Sequence, residues 1–342
     1  MTQKQIEEAV KAVLASIERE REREIVARRY GLFERRETLE QIGELLGITR
    51  ERVRQLEKAV VSKLKESALA GSLPGIKEID QTLVSALEGE GSVARISNLV
   101  KHLTGEAGTR LDQSRVAFLA DLAPNVSLIS DNDHYHQAAA ITKVHDEKAV
   151  HKQVAKLVDT IKSIGEPKPI EEITKVSGHS DPKHAAALSS TSKHLATLGG
   201  VWGLVKWPTV NPKNIRDKIY VVLQQNGKHM HFNEIADAIK DSEFKRKDVT
   251  TQAIHNELIK DKRFVLIGRG IYALKEWGYK KGTVADIISD VLKDAGEPLH
   301  RDEIVKRVLK SRYVKETTIL LNLQGKDQFK RVAKATYELQ EA

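Results

Sequence analysis

Residues Thr38–Lys65 read TLEQIGELLGITRERVRQLEKAVVSKLK, which has the punctuation of two helices joined by a tight turn. Thr38 is placed to cap a first helix, with Gln41 three positions on completing a capping box. Leu39, Ile42 and Leu45 recur at helical spacing, and Gly47 supplies the backbone freedom that a short inter-helix turn needs. Thr49 is placed to cap a second helix, whose inward face is Val53, Leu56, Val60 and Leu64. Its outward face is Arg50, Glu51, Arg54, Gln55 and Lys58. A solvated face usually carries Glu and Lys in salt-bridging order. Here arginines, an acid and an amide crowd the first two turns, the part of a recognition helix that reaches base edges. Arginine suits guanine, glutamine suits adenine, and glutamate accepts from cytosine. These residues predict a DNA-reading helix-turn-helix.

The longer run EREREIVARRYGLFERRETLEQIGELLGITRERVRQLEKAVVSKL resembles region 4 of the sigma-70 family, the primary type of bacterial sigma factor. That family's first helix pair ends in an R-x-R-[YF]-G-L motif, matched here by Arg28, Arg29, Tyr30, Gly31 and Leu32. A TLEEIG-type support helix and a TRERxRQxE recognition helix follow, and the likeness runs from about Val10 to Lys65. The resemblance implies that Arg50, Glu51, Arg54 and Gln55 face a promoter −35 element in the major groove, with Arg52 and Lys58 nearer phosphates. It also implies a grip by the first helices on the flap of the RNA polymerase beta subunit. The chain starts about ten residues before this region. The sigma regions that hold the polymerase clamp and melt the −10 element are therefore expected to be absent, so transcription is not expected to start on this chain alone.

The chain has 342 residues, enough for two or more domains, and no cysteine. Disulfides and thiolate metal sites are thereby excluded, in keeping with a reducing cytoplasm. The N-terminal MTQKQIEEAVKAVL carries acids and no apolar core of signal-peptide length. No stretch approaches the roughly 20 apolar residues that span a bilayer. A cytoplasmic, nucleoid-associated protein is expected, without a membrane or small-molecule partner.

The formal net charge is +8 and is unevenly spread: +2 for residues 1–70, −1 for 71–210, +6 for 211–281 and +1 for 282–342. The segment with most of the excess predicts a second phosphate-facing surface. Its candidates are Lys245, Arg246 and Lys247, just before a third helix, and Arg269 at a hairpin tip.

Self-similarity appears when the chain after residue 80 is laid against itself. IRDKIYVVLQQNGKHMHFNEIADAIK followed by VTTQAIHNELIKDKRFVLIGRGIYALKEWGY parallels VADIISDVLKDAGEPLHRDEIVKRVLK followed by KETTILLNLQGKDQFKRVAKATYEL. Each predicts an apolar helix, a Gly turn, a His-x-x-Glu-Ile helix, a third helix and two short strands. In the first of this pair Gly268, Arg269 and Gly270 form the hairpin link. Two fainter copies precede them, so the prediction is a mainly α chain. A helix-turn-helix over 1–70 is followed, across a join near Gly71–Gly75, by tandem winged helices with short β-hairpins at 80–143, 149–208, 213–278 and 281–340. The last two units resemble the HARE-type winged-helix domain, also seen in the delta subunit of bacterial RNA polymerase. The matching marks are Gly227, His231, Glu234 and Ile235, then Gly296, Pro298, His300, Glu303 and Ile304, with GRGIYAL and KATYEL as wings. In such proteins DNA or partner binding is inferred.

Other signals point to no chemistry. The close histidine pairs His134/His136 and His229/His231 lack the acidic–histidine pattern of a metal site. His231 and His300 are expected to be satisfied locally at helix starts, and His134 and His136 to lie on a hairpin tip. Gly268–Arg269–Gly270 is followed by no helix and is no dinucleotide fingerprint. Trp202, Trp207 and Trp277 are expected to pack. No phosphate loop, nucleophile elbow or paired-acid set is visible. No enzyme activity, cofactor or metal is therefore expected. The favoured function is a bacterial transcription regulator that binds promoter DNA and RNA polymerase. The alternative is a polymerase-associated scaffold that mimics sigma region 4 without reading sequence.

Overall fold

The computed structural model describes residues 1–244, 246 and 248–340. They form two compact bodies, Met1–Lys206 and Trp207–Ala342.

The first body opens with four helices: α1 (Gln3–Ala15), α2 (Glu20–Tyr30), α3 (Leu39–Leu46) and α4 (Arg50–Leu69). A five-part pattern of helix, short strand, helix, helix and hairpin then appears twice. Its first copy is α5 (Ile76–Gly89), β1 (Val93–Arg95), α6 (Ile96–Thr104), α7 (Arg110–Leu122), β2 (Val126–Ile129) and β3 (Ala138–Ile141). Its second copy is α8 (Glu147–Ile164), β4 (Lys168–Pro169), α9 (Ile170–Ser177), α10 (Pro182–Thr191), β5 (Leu195–Leu198) and β6 (Val201–Leu204).

The second body repeats the pattern twice more. The third copy is α11 (Ile215–Asn226), β7 (Met230–His231), α12 (Phe232–Asp241), α13 (Thr251–Lys260), β8 (Phe264–Gly268) and β9 (Ile271–Leu274). The fourth is α14 (Val284–Ala295), β10 (Leu299–His300), α15 (Arg301–Ser311), α16 (Glu316–Gly325), β11 (Phe329–Ala333) and β12 (Thr336–Leu339). In all four sheets the last strand lies in the middle, antiparallel to both others. The expected mainly α architecture with small hairpins is the observed one. No helix among the described residues is long and apolar enough to cross a membrane.

Local sequence explains where helices begin. Thr2, Thr38, Thr49, Thr109, Thr250 and Thr283 each accept a hydrogen bond from a backbone N–H of the first turn, satisfying a donor that the helix cannot. His231 and His300 do the same for α12 and α15, so their rings are satisfied locally, as expected.

Packing in the first body centres on α7. Val116–Ala120 are all buried, with Phe118 and Ala120 fully so. Apolar side chains of α1, α2, α4, α5 and α6 join them in one cluster that runs from Ile6 to Ile141. A helix buried on nearly all sides is a core element. Arg115 and Asp121 on this helix are paired accordingly. Arg115 bonds Glu7 at 3.0 Å and donates to the Leu32 carbonyl at 2.9 Å. Asp121 accepts from the Tyr30 hydroxyl at 2.8 Å and from Lys65 Nζ at 2.7 Å, tying α2 and α4 to one carboxylate. Leu73, in the join at Gly71–Gly75, is buried in the same cluster.

The second copy leans on the first through α10. Arg95 donates to the Ser190 carbonyl, and the backbone N–H of His136 to that of Thr191. The hairpin tip carrying His134 and His136 is thus a contact: His134 Nδ1 lies 2.8 Å from His194 Nε2. A second imidazole pair joins His145 Nε2 to His184 Nε2 at 2.8 Å, while His184 Nδ1 lies 2.6 Å from the Gly91 carbonyl. A carbonyl only accepts, which puts a proton on His184 Nδ1; in that tautomer His184 Nε2 accepts, and His145 is the donor to its partner. Burial, and then the neighbouring His184, push the His145 pKa below its ordinary 6.5. The unfolded chain therefore takes up this proton near pH 6.5 while the folded chain resists it, and stability falls as pH drops through that value. Thermal melting of the full chain should shift downward between pH 7.5 and 5.5. His145→Gln should flatten that part of the profile. A wild-type profile that is already flat there would refute the assignment.

Candidate nucleic-acid interface

The predicted helix-turn-helix forms from the predicted residues. Thr38 and Gln41 make the reciprocal capping box at α3, with bonds of 3.3 and 2.9 Å. Gly47 ends α3 at φ 64°, ψ 38°, the left-handed conformation that favours glycine. Gly43 answers a different need, because a Cβ there would meet the Ile48 carbonyl at 2.7 Å. The turn therefore closes directly over the back of α3. Thr49 then accepts from the Arg52 N–H and starts α4.

A small separate core of Ile25, Ile42 and Val53, with Leu39, Leu46, Ile48 and Leu56 against it, locks α2, α3 and the first half of α4 together. The second half of α4 belongs to the large cluster through Val60, Leu64 and Ala68. One helix thus spans two cores, and its outward face is held in a single orientation.

On that face Arg50, Glu51, Arg52, Arg54, Gln55 and Lys58 are all exposed. Arg54 forks onto Glu51, with Nε at 2.8 Å and Nη2 at 2.6 Å. The hydrogen bonds from Arg54 hold the Glu51 carboxyl below its usual range, so it stays ionised. Glu51 occupies the Nε–Nη2 edge of the guanidinium and leaves the Nη1–Nη2 edge without that partner. That edge is one a bidentate contact with guanine O6 and N7 uses. Arg50 pairs with Glu40 of α3 at 2.8 Å, and Arg52 reaches Gln55 at 3.4 Å. Glu40 was not singled out by the sequence, because an acid at the start of α3 looks like ordinary dipole compensation.

The Arg28–Leu32 motif is structural here. Arg28 bonds Glu24 and Glu37, each at 2.9 Å, and Arg29 approaches Glu57 at 3.4 Å. Tyr30 sets its ring edge-on to Phe118 at 4.9 Å, and Leu32 is fully buried. The apolar face of α1, namely Ile6, Val10, Val13 and Leu14, lies inside the large cluster.

The other predicted phosphate-binding residues are only partly in view. Arg246 is exposed, and its carbonyl accepts from the buried Lys218 Nζ at 2.6 Å. Arg269 is exposed at the β8–β9 tip. Lys245 and Lys247 lie outside the described residues.

The family described as Sigma-70, region 4 matches residues 19–66, which takes in α2, α3 and most of α4. Over 61 residues the chain is 43% identical to RNA polymerase sigma factor SigA1 of Synechococcus elongatus. That stretch is 18% of this chain and 15% of the sigma factor. The likeness therefore belongs to one module, a sigma-70 region 4-like helix-turn-helix, and α5 to α16 lie outside the family match.

Proposed function

We propose that this chain is a transcription regulator whose α4 reads a −35-like promoter element and which works in contact with RNA polymerase. The observation that carries the reading is the accessible set Arg50, Glu51, Arg54 and Gln55. It stands at the start of a helix immobilised by two cores, inside the stretch that is similar to sigma-70 region 4. Arg52 and Lys58 flank these residues and would meet phosphates. We read the four repeated units as winged helices, the last two of the HARE type. In the third unit Arg246 and Arg269, together with Lys245 and Lys247, would add affinity without sequence preference. No catalytic role is assigned.

A scaffold that mimics the sigma module without reading bases is favoured by one observation: Arg54, Glu51, Gln55 and Arg52 are hydrogen-bonded to one another. Replacing Arg54 or Gln55 by Ala separates the two. For a reader, each should cost about 1–3 kcal/mol on a preferred −35-like duplex and relax specificity there. Equal loss on random duplex, or none, would leave the scaffold.

A further inference from the structure

The third and fourth units carry the same hairpin in the same register, built from different side chains. Phe264 faces Leu274, as Phe329 faces Leu339. Leu266 faces Tyr272, as Arg331 faces Tyr337, and in both hairpins the register then shifts by a bulge. Gly268 faces Ile271, as Ala333 faces Thr336. Left-handed residues, Gly270 at φ 67° and Ala335 at φ 56°, close the two tips behind Arg269 and Lys334. The hairpins can thus be compared position by position.

In the third unit the outer face is apolar and covered. Val265, Ile267 and Ala273 are buried, and Trp277 and Tyr279, from the segment after β9, pack against them. At the equivalent places the fourth unit has Lys330, Val332 and Glu338. Leu266 is replaced by Arg331, and Lys330 to Lys334 are exposed without interruption. The acids nearby are few: Glu338 stands 3.8 Å from Lys330, and Asp327 precedes the strand. The unit's other described acids lie at positions 286, 290, 294, 297, 302, 303 and 316, on its helices and the Gly296 turn. A unit with a net charge of only +1 therefore separates its charges and gathers cations on its hairpin.

We infer that the β11–β12 hairpin of the fourth unit is a wing that grips the sugar–phosphate backbone of duplex DNA, through Lys330, Arg331 and Lys334. A bare, basic hairpin ending in a cation suits a row of backbone phosphates. The same hairpin in the third unit is capped by aromatics, so its wing offers Arg269 alone. The grip is independent of sequence, because it touches no base edge. It goes beyond the reading of α4 and does not depend on it.

The test is the triple variant Lys330→Gln, Arg331→Gln, Lys334→Gln in the full chain, titrated with random-sequence duplex DNA over a series of salt concentrations. Affinity should fall by the same factor on every duplex. The slope of log K against log salt should shrink by roughly 0.9 for each phosphate that the variant leaves unneutralised, so by about 2.7 if all three cations engage one. Since Phe329, Tyr337 and Leu339 are untouched, thermal melting should not move. An unchanged slope with unchanged melting overturns the inference, as does a loss confined to single-stranded RNA. Arg54→Ala in parallel keeps the two readings apart. It should alter sequence preference and leave the wing's share of the slope intact, and failure of either result leaves the other standing.

Discussion

Phe118→Ala should be among the most damaging single substitutions in the first body, at about 3–5 kcal/mol. Its ring is fully buried and sits edge-on to Tyr30 at 4.9 Å, where α7 meets the helix-turn-helix. Removing it leaves a cavity at the centre of a cluster shared by α1, α2, α4, α5, α6 and α7. Native-state hydrogen exchange on the full chain should therefore show amides of α1 and the second half of α4 losing protection together with those of α7. Tyr30→Phe keeps the ring and deletes only the bond to Asp121, and should cost about 1 kcal/mol. If Phe118→Ala shifts α7 alone by less than about 1 kcal/mol, the helix-turn-helix does not depend on the first repeated unit for its footing.

Val53→Asp should do comparable harm, of the order of 4 kcal/mol, and do it elsewhere. Val53 is fully buried between Ile25 and Ile42, and a carboxylate there has no partner. That core is distinct from the large one, so the damage should stay within α2, α3 and the first half of α4. Exchange protection of α3 should vanish while that of α7 persists, and preference for a −35-like duplex should be lost. Binding to random duplex, if carried by the second body, should survive. Retained α3 protection in a soluble Val53→Asp chain would show that the helix faces have been assigned the wrong way round.

Much of this was legible in the residues themselves, because the relevant interactions are local. A Thr cap, a glycine turn and apolar residues at three- and four-residue steps depend on neighbours within one or two turns. The boundaries of α3 and α4 follow from them. So do the outward face of α4 and the repeated order of helices and strands. The histidines at the starts of α12 and α15 belong to the same class. Charge was less legible. Summed over segments, it drew attention to the third unit and passed over the fourth. Segment totals cannot tell a cation on a bare hairpin from one beside an acid, and residues 282–342 hold nearly equal numbers of both signs.

Sequence alone thus determined the helix-turn-helix, its outward chemistry and the fourfold pattern, since each is set by interactions that a short window contains. Tertiary structure decided how the repeated units are used. Nothing near Arg110–Leu122 announces that this third helix is a buried platform, with Arg115 reaching back to Glu7 and Leu32, and Asp121 to Tyr30 and Lys65. Those partners lie some 56 to 108 positions away in the chain. Nor does the residue order say that Trp277 and Tyr279 cover one hairpin while its counterpart stays bare. Burial is a property of what folds back onto a surface, and the pattern within an element records only that it has a face to cover.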